Sequence, residues 1–163
     1  MTGSAARIGK GPAFGSLRIP KVNEFQFSQL SAIPGELRAQ MLLFDWWIAN
    51  GDRTLTESGG NPNLLWDASA QAPIVIDHNL AFDPSLCEDF WTEHVFKESV
   101  NLWTDEFRRV QSARLKAALV QLPAIWNELP EDWTEVDCGL NLEVAGNLLW
   151  RFERDPNTFW KPQ

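Results

Sequence analysis

The spacing of apolar residues predicts an amphipathic helix in the first third of the chain. From Pro34 onwards, apolar side chains recur at steps of three and four residues, at Leu37, Met41, Phe44, Trp47 and Ile48. This spacing places them on one face of an α-helix. Pro34 suits a first helical turn, and the pair Asn50-Gly51 favours the left-handed backbone at which helices end. The pattern therefore predicts a helix from Pro34 to about Asn50 with one buried stripe.

Two short apolar runs follow and predict a β-hairpin. They are "LLWD" at residues 64–67 and "PIVID" at residues 73–77, separated by the polar stretch "ASAQA". Antiparallel pairing across that turn brings the start of the first run beside the end of the second. We therefore expect Asn63 and Asp77 at the same end of the hairpin. The loop that carries Asp52 opens at that end too.

The remainder of the chain has the spacing of helices. Segments 86–100, 104–122 and 141–155 all show it, and Thr104 is placed to cap the second of them. Prolines at positions 123, 130 and 156 are expected to separate the later elements. Residues 1–23 are rich in Gly, Ser, Ala and Pro and predict an extended lead-in to one domain at residues 24–163. The predicted class is α+β, mostly α, with one small hairpin.

Composition limits the kinds of partner that this chain can have. With 163 residues, 44% of them hydrophobic, it can form one domain with a core. A net charge of -8 argues against a nucleic-acid surface or an anionic membrane surface. No apolar run approaches the roughly 18 residues of a membrane span, and Cys87 and Cys138 lack zinc-site spacing. We therefore expect a cytoplasmic protein with reduced thiols and no nucleic-acid or membrane partner.

Oxygen-bearing side chains surround the predicted hairpin, in the order Asp52, Asn61, Asn63 and Asp77. Asp and Asn oxygens are ligands that Mg²⁺ accepts together with phosphate and water. Phosphoryl transfer needs one carboxylate beside the attacking hydroxyl, and an Asn and a second Asp to hold metal. Each of these residues alone is also a common turn former. Their joint order is what predicts a phosphoryl-transfer site.

Three motifs in this region resemble a known family. The stretches "FDWWIANGDR", "GGNPNLLWD" and "IVIDHNLAFD" resemble the catalytic core of bacterial HipA-like kinases, in the branch with N-x-D-R, N-P-N-L-L and I-D-H-x-x-A-F motifs. The earlier "GPAFGS" is similar to the segment that follows the nucleotide-binding lobe in that branch. The resemblance covers residues 11–96 well and the helical remainder loosely. It implies the C-terminal lobe of a protein-kinase-like fold, in a bacterial, toxin-antitoxin-like setting.

The resemblance also implies roles for individual residues. Asp52 would be the general base that orients the substrate hydroxyl. Asn63 would bind the metal, with Asn61 as a competing assignment, and Asp77 would be the second metal ligand. The implied cofactors are ATP and Mg²⁺, and the implied reaction transfers the γ-phosphoryl group to a Ser or Thr hydroxyl of a protein substrate.

Four further polar residues have more local interpretations. The resemblance implies that Arg53 contacts the nucleotide phosphates or steadies the loop, and that His78 contacts the nucleotide or hydrogen-bonds within the loop. A single His after a strand is more often a hydrogen-bonded structural residue, and the same holds for His94, which falls on a predicted helix. Asp45 lies within the apolar helix, where an unpaired carboxylate is expensive, and is predicted to be a buried cap or hydrogen-bond partner.

Three functions remain open from the sequence. The first is a HipA-like kinase, or the C-terminal lobe of one. Its smaller lobe would come from another chain, a missing upstream segment or a homodimer, because the residues before position 24 are too few for it. The second is a noncatalytic kinase-like binding or regulatory module. The third is a Mg²⁺-dependent phosphohydrolase, although the chain has no additional metal-ligand cluster. Converging acidic groups favour the kinase, since they repel one another unless a cation lies between them.

Overall fold

Helix α1 (Gly35–Trp47) lies at the centre of the core in the computed structural model, which describes residues 11–55, 59–83, 86, 89–135 and 139–161. The predicted helix is confirmed, and Met41 and Trp47 of its apolar stripe are buried. Phe44 was wrongly assigned to that stripe: its ring is 39% exposed and contacts His78 instead. The left-handed residue after the helix is Ala49, with φ 53°, rather than Gly51.

The sheet has three antiparallel strands in the order β1 (Val22–Glu24), β2 (Leu64–Asp67) and β3 (Ala72–Val75). The predicted hairpin is confirmed as β2 and β3, with Leu64 opposite Val75. Strand β1 was not predicted, because three residues are too few to show a period. It lies where the lead-in was expected to end, and it pairs with β2.

The helices after the sheet are short except for one. They are α2 (Phe90–Glu93), a 3₁₀ helix (Lys97–Leu102), α3 (Asp105–Asn127), α4 (Glu131–Thr134), α5 (Leu142–Leu149), α6 (Arg151–Arg154) and α7 (Pro156–Phe159); another 3₁₀ helix (Phe27–Ala32) precedes α1. Thr104 caps α3 as predicted, since its hydroxyl oxygen accepts a hydrogen bond from the Phe107 N–H. Within the described residues, no helix combines the length and apolar character needed to cross a bilayer.

Three details of the predicted helices were wrong. The described part of segment 86–100 is not continuous helix, because His94 follows α2 in an extended conformation and forms a β-bridge with Thr54. Pro123 lies inside α3 rather than at its end. Segment 141–155 forms α5 and α6, which are separated at Trp150.

Tryptophan side chains join α1 to the rest of the core. The indole N–H of Trp47 donates to the Leu149 carbonyl at 2.8 Å, and that of Trp103 donates to the Ala39 carbonyl at 3.3 Å. The N–H of a buried Trp needs a hydrogen-bond partner, so each of these bonds also fixes the orientation of its ring. Helix α1 is thus held on two sides, and the loop leaving its C-terminal end starts from a rigid support.

Candidate active site

The loop after α1 carries Arg53, whose side chain is fully buried. Its Nε and Nη2 donate to the two carboxylate oxygens of Asp45 at 2.7 and 3.3 Å. Its Nη1 donates to the carbonyls of Pro62 and Asn63 at 2.9 and 2.6 Å, and Nη2 also donates to His78 Nε2 at 3.4 Å. Every guanidinium N–H therefore has a protein partner. Of the two roles expected for Arg53, this geometry favours support of the loop over contact with a phosphate.

Asp45 is the buried counter-charge of Arg53, with 0% of its surface exposed. It also accepts hydrogen bonds from the Asn50 amide at 2.9 Å and from His94 Nε2 at 3.1 Å. Burial alone would raise the pKa of Asp45, but the hydrogen bonds from His94 and Arg53 outweigh burial and lower it. Asp45 is therefore a carboxylate with four hydrogen bonds, which confirms the predicted role as a buried hydrogen-bond partner.

His94 is a neutral donor to Asp45. Its Nδ1 accepts the backbone N–H of Phe96 at 3.0 Å, which assigns the ring proton to Nε2. Burial lowers the pKa of His94 and outweighs the opposing effect of Asp45. His94 is thus the hydrogen-bonded structural residue that the sequence favoured, although it does not lie on a helix.

His78 is also neutral, for a different reason. An arginine can only donate, so the contact with Arg53 requires His78 Nε2 to accept. Burial, followed by the positive charge of Arg53, lowers the pKa of His78. The ring meets Phe44 edge-on, with centroids 5.4 Å apart. His78 is therefore held within the loop by Arg53.

Asp52 and Asn63 lie together, as the predicted hairpin geometry required. The amide nitrogen of Asn63 donates to Asp52 Oδ2 at 2.7 Å. Asn63 is buried, and its carbonyl accepts the Ile76 N–H at 3.1 Å, which joins it to the strand that leads to Asp77. The bond between the two side chains uses Oδ2 of Asp52 and the nitrogen of Asn63, so Oδ1 of each side chain is not part of it. Both Oδ1 atoms are acceptors of the kind that a cation or a hydroxyl group can contact.

The other two predicted metal ligands differ in their surroundings. Asn61 is exposed, and its side-chain oxygen accepts the Asn63 N–H at 3.4 Å, which makes it a turn-forming residue. Asp77 is exposed and follows directly after Ile76. Its backbone is left-handed, with φ 54°, and so is that of Asn63, with φ 47°. The two positions are thus strained and lie at the same end of the hairpin.

The two described ends of the loop between Arg53 and Asn63 pack closely against their neighbours. The N–H of Val95 donates to the Arg53 carbonyl at 3.0 Å, so the segment after α2 pairs with the loop. At Gly60, a Cβ atom would come within 2.5 Å of the Thr54 carbonyl oxygen. Only glycine permits that approach without movement of the backbone.

A cavity of about 460 Å³ lies on the outer face of the sheet, and one of its lining residues, Ile76, directly precedes Asp77 in the chain. Leu64 and Trp66 of β2 are buried in the core, so Leu65 between them faces the cavity with its partner Ile74. Ile76 also lines it, and residues 16–19 form the opposite wall. The hairpin was not predicted to have a second apolar face. The signal was available, because runs that are apolar at consecutive positions indicate strands covered on both faces.

The residues present fit a Mg²⁺ ion that takes part of its shell from a phosphate. Among the described residues there is no group of three or more His, Cys, Asp and Glu side chains that could hold a metal alone. Mg²⁺ commonly takes one or two protein oxygens and completes its octahedron with phosphate and water. The side-chain oxygen of Asn63 and the carboxylate of Asp77 are oxygens of that kind.

Comparison with known proteins gives one match. A family model described as HipA-like kinase matches residues 1–163, the whole of this chain. Neither the curated proteins nor the solved structures gave a match.

Proposed function

Because this chain belongs to the HipA-like kinase family, we propose that it forms the catalytic face of an ATP-dependent kinase that phosphorylates a Ser or Thr hydroxyl. The observation that carries the proposal is the hydrogen-bonded pair Asp52 and Asn63, located where the hairpin begins. Phosphoryl transfer depends mainly on positioning of the reactants and neutralisation of phosphate charge. A carboxylate beside the attacking hydroxyl and an amide that binds the metal contribute to both.

The cavity on the outer face of the sheet is the proposed site of the adenine base. Leu65, Ile74 and Ile76 line it with aliphatic side chains of the kind on which a purine ring packs, and Arg18 and Lys21 line it as well. The backbone of residues 16–19 on the opposite wall can supply polar groups to the edge of the base. Since Ile76 immediately precedes Asp77, a nucleotide in this orientation directs its phosphates towards the polar end of the hairpin.

Asn63 and Asp77 are the proposed Mg²⁺ ligands, and the ion when bound neutralises charge on the nucleotide phosphates. The amide nitrogen of Asn63 is engaged by Asp52, which leaves its oxygen as the acceptor available to a cation. The backbone of Asn63 is fixed by Arg53 and by Ile76. We prefer Asn63 to Asn61, because the Asn61 oxygen already accepts a backbone N–H.

Asp52 is the proposed general base. One of its oxygens accepts the Asn63 amide N–H, and the other is the proposed acceptor of the substrate hydroxyl proton. As the hydroxyl oxygen forms its bond to the γ-phosphorus, the bond from that phosphorus to the bridging oxygen breaks. ADP leaves with the electron pair of the broken bond, and the hydroxyl proton passes to Asp52.

Calorimetric titration with ATP, with and without Mg²⁺, tests the metal and nucleotide assignments. We expect magnesium-dependent binding by the unaltered chain and its loss in Asp77→Asn. Asp132→Asn makes the same chemical change at an exposed site on α4 and should bind as the unaltered chain does. Equal magnesium-dependent affinity in Asp77→Asn would remove Asp77 from the site.

Transfer of label from γ-³²P-ATP to a Ser/Thr protein substrate tests the role of Asp52. Asp52→Asn should keep ATP binding and lose transfer, because the amide cannot take up the proton. Retained transfer would contradict the assignment of Asp52 as the base. Binding without transfer by the unaltered chain is the result expected of a noncatalytic module, and release of phosphate without a labelled acceptor is that expected of a phosphohydrolase.

A further inference from the structure

One buried guanidinium contacts both segments that carry the proposed metal ligands. Arg53 donates to the carbonyl of Asn63 at 2.6 Å and to the ring of His78, the next residue after Asp77, at 3.4 Å. Asn63 and Asp77 both have a left-handed backbone, a conformation that residues other than glycine adopt infrequently. A strained backbone persists only where its surroundings hold it. Arg53 contacts the first of these residues directly and the second through its neighbour His78.

We propose that Asp45 is a positioning residue for phosphoryl transfer, because it orients the Arg53 guanidinium and thereby fixes the backbone at Asn63 and Asp77. The inference rests on the proposed function, since the ligand roles of Asn63 and Asp77 do. Asp45 contacts Nε and Nη2 of the guanidinium, which sets the direction of the remaining N–H groups. Those groups are the ones that reach Asn63 and His78.

Asp45 acts on the proposed ligand positions through Arg53 and not by touching the substrate. Both of its oxygens are filled, Oδ1 by Asn50 and Arg53 and Oδ2 by Arg53 and His94. Its surface is 0% exposed, so no substrate atom can touch it. Asn50 and His94 hold the carboxylate, and helix α1 carries its backbone. The chain of contacts therefore runs from α1 through Asp45 and Arg53 to the metal-ligand positions.

Arg53→Lys separates this role from the charge balance of the core. Lysine keeps a positive charge beside Asp45, but a single ammonium group cannot reproduce the planar fork that contacts Asp45, Asn63 and His78 together. We expect the affinity for ATP in the presence of Mg²⁺ to fall by about ten- to a hundredfold, the effect typical of losing a group that supports a metal ligand. Asp45→Asn should also lower this affinity, because the amide nitrogen of the new Asn would face one of the N–H donors that now contact the Asp45 carboxylate.

Phe152→Leu is the matched control for loss of stability. Phe152 is 1% exposed and packs in α6 against Phe159, so this variant weakens the fold without touching Arg53. Titrations are made at a temperature at which circular dichroism shows every variant folded. Unchanged magnesium-dependent affinity in Phe152→Leu is the expected result. An equal loss in Phe152→Leu and Arg53→Lys would overturn the inference, because general destabilisation would then explain both.

A second measurement does not need the nucleotide. The side-chain amide of Asn63 donates to Asp52 at 2.7 Å, and its NMR signal, assigned by its absence in Asn63→Ser, should exchange slowly with solvent. We expect faster exchange in Arg53→Lys and Asp45→Asn but not in Phe152→Leu. If the unaltered chain binds no nucleotide, the proposed function fails while this comparison still decides the inference. Unchanged exchange in Arg53→Lys and Asp45→Asn would overturn it.

Discussion

Replacing His94 with alanine should destabilise the fold by about 4 kcal/mol, because the ring serves two buried hydrogen bonds. Loss of the bond to the charged Asp45 is worth about 1.5–3 kcal/mol. The Phe96 N–H, which donates to His94 Nδ1, would be left unsatisfied at a cost of about 1–3 kcal/mol. The ring also packs against Phe90, with centroids 5.0 Å apart, so its removal leaves a cavity.

Two conservative substitutions divide this loss between the two bonds. His94→Asn places a side-chain oxygen near the position of Nδ1, so it keeps the acceptor for the Phe96 N–H and loses the donor to Asp45. His94→Gln places an amide nitrogen near the position of Nε2, so it keeps the donor and loses the acceptor. Each should destabilise the fold by about 2 kcal/mol, roughly one lost partner.

Urea denaturation followed by tryptophan fluorescence measures these differences, since the chain has nine Trp. Equal m-values among the variants would show that the compared transitions expose the same surface. Glu93→Ala, at the exposed neighbouring position, should change the free energy of unfolding by less than about 0.5 kcal/mol. A loss below about 1 kcal/mol in His94→Ala, or losses in His94→Asn and His94→Gln as large as in His94→Ala, would refute the reasoning.

Three further outcomes follow from contacts around the site. Burial lowers the pKa of His94 below its ordinary 6.5, so the unfolded chain binds the proton more readily, and the free energy of unfolding should fall as the pH drops below 6.5. Urea denaturation at several pH values measures this, and the free energy of unfolding of His94→Gln should depend less steeply on pH than that of the unaltered chain. Gly60→Ala should destabilise the fold by about 1–3 kcal/mol, because the added Cβ meets the Thr54 carbonyl. Gly146→Ala should not destabilise it, because no atom lies within 4 Å of the added Cβ, and calorimetric melting compares the two variants. Ile74→Glu should abolish ATP binding in a calorimetric titration by placing a carboxylate on the proposed adenine face, while Val120→Glu on the exposed side of α3 should bind normally.

The parts of the fold that local pattern predicts are those whose contacts are close in sequence. Helix α1 has its apolar spacing, and the hairpin has two apolar runs joined by a polar turn. The meeting of Asp52 with Asn63 follows from these two, because the hairpin returns to the end of the helix. Local pattern was also enough to identify Asp45 as a buried polar residue that needed partners.

The parts that were missed depend on pairing over long distances. His94 has helical spacing around it, but its segment is extended because it pairs with the loop at Thr54. Strand β1 forms because β2 offers it a free edge. The identity of the partners of Asp45 was equally hidden, since His94 lies 49 positions away in sequence. Tertiary contacts override local propensity at each of these places.

The left-handed residues at the end of the hairpin connect backbone strain to the proposed chemistry. Gln71 is also left-handed, and the turn between β2 and β3 explains it. Asn63 and Asp77 lie outside any such turn, and glycine would occupy either position without strain. Glycine, however, carries no oxygen for a cation. Asn and Asp are the residues other than glycine that tolerate this conformation best, and both carry an oxygen. The proposed ligand roles of Asn63 and Asp77 therefore agree with the residue types found at the two left-handed positions.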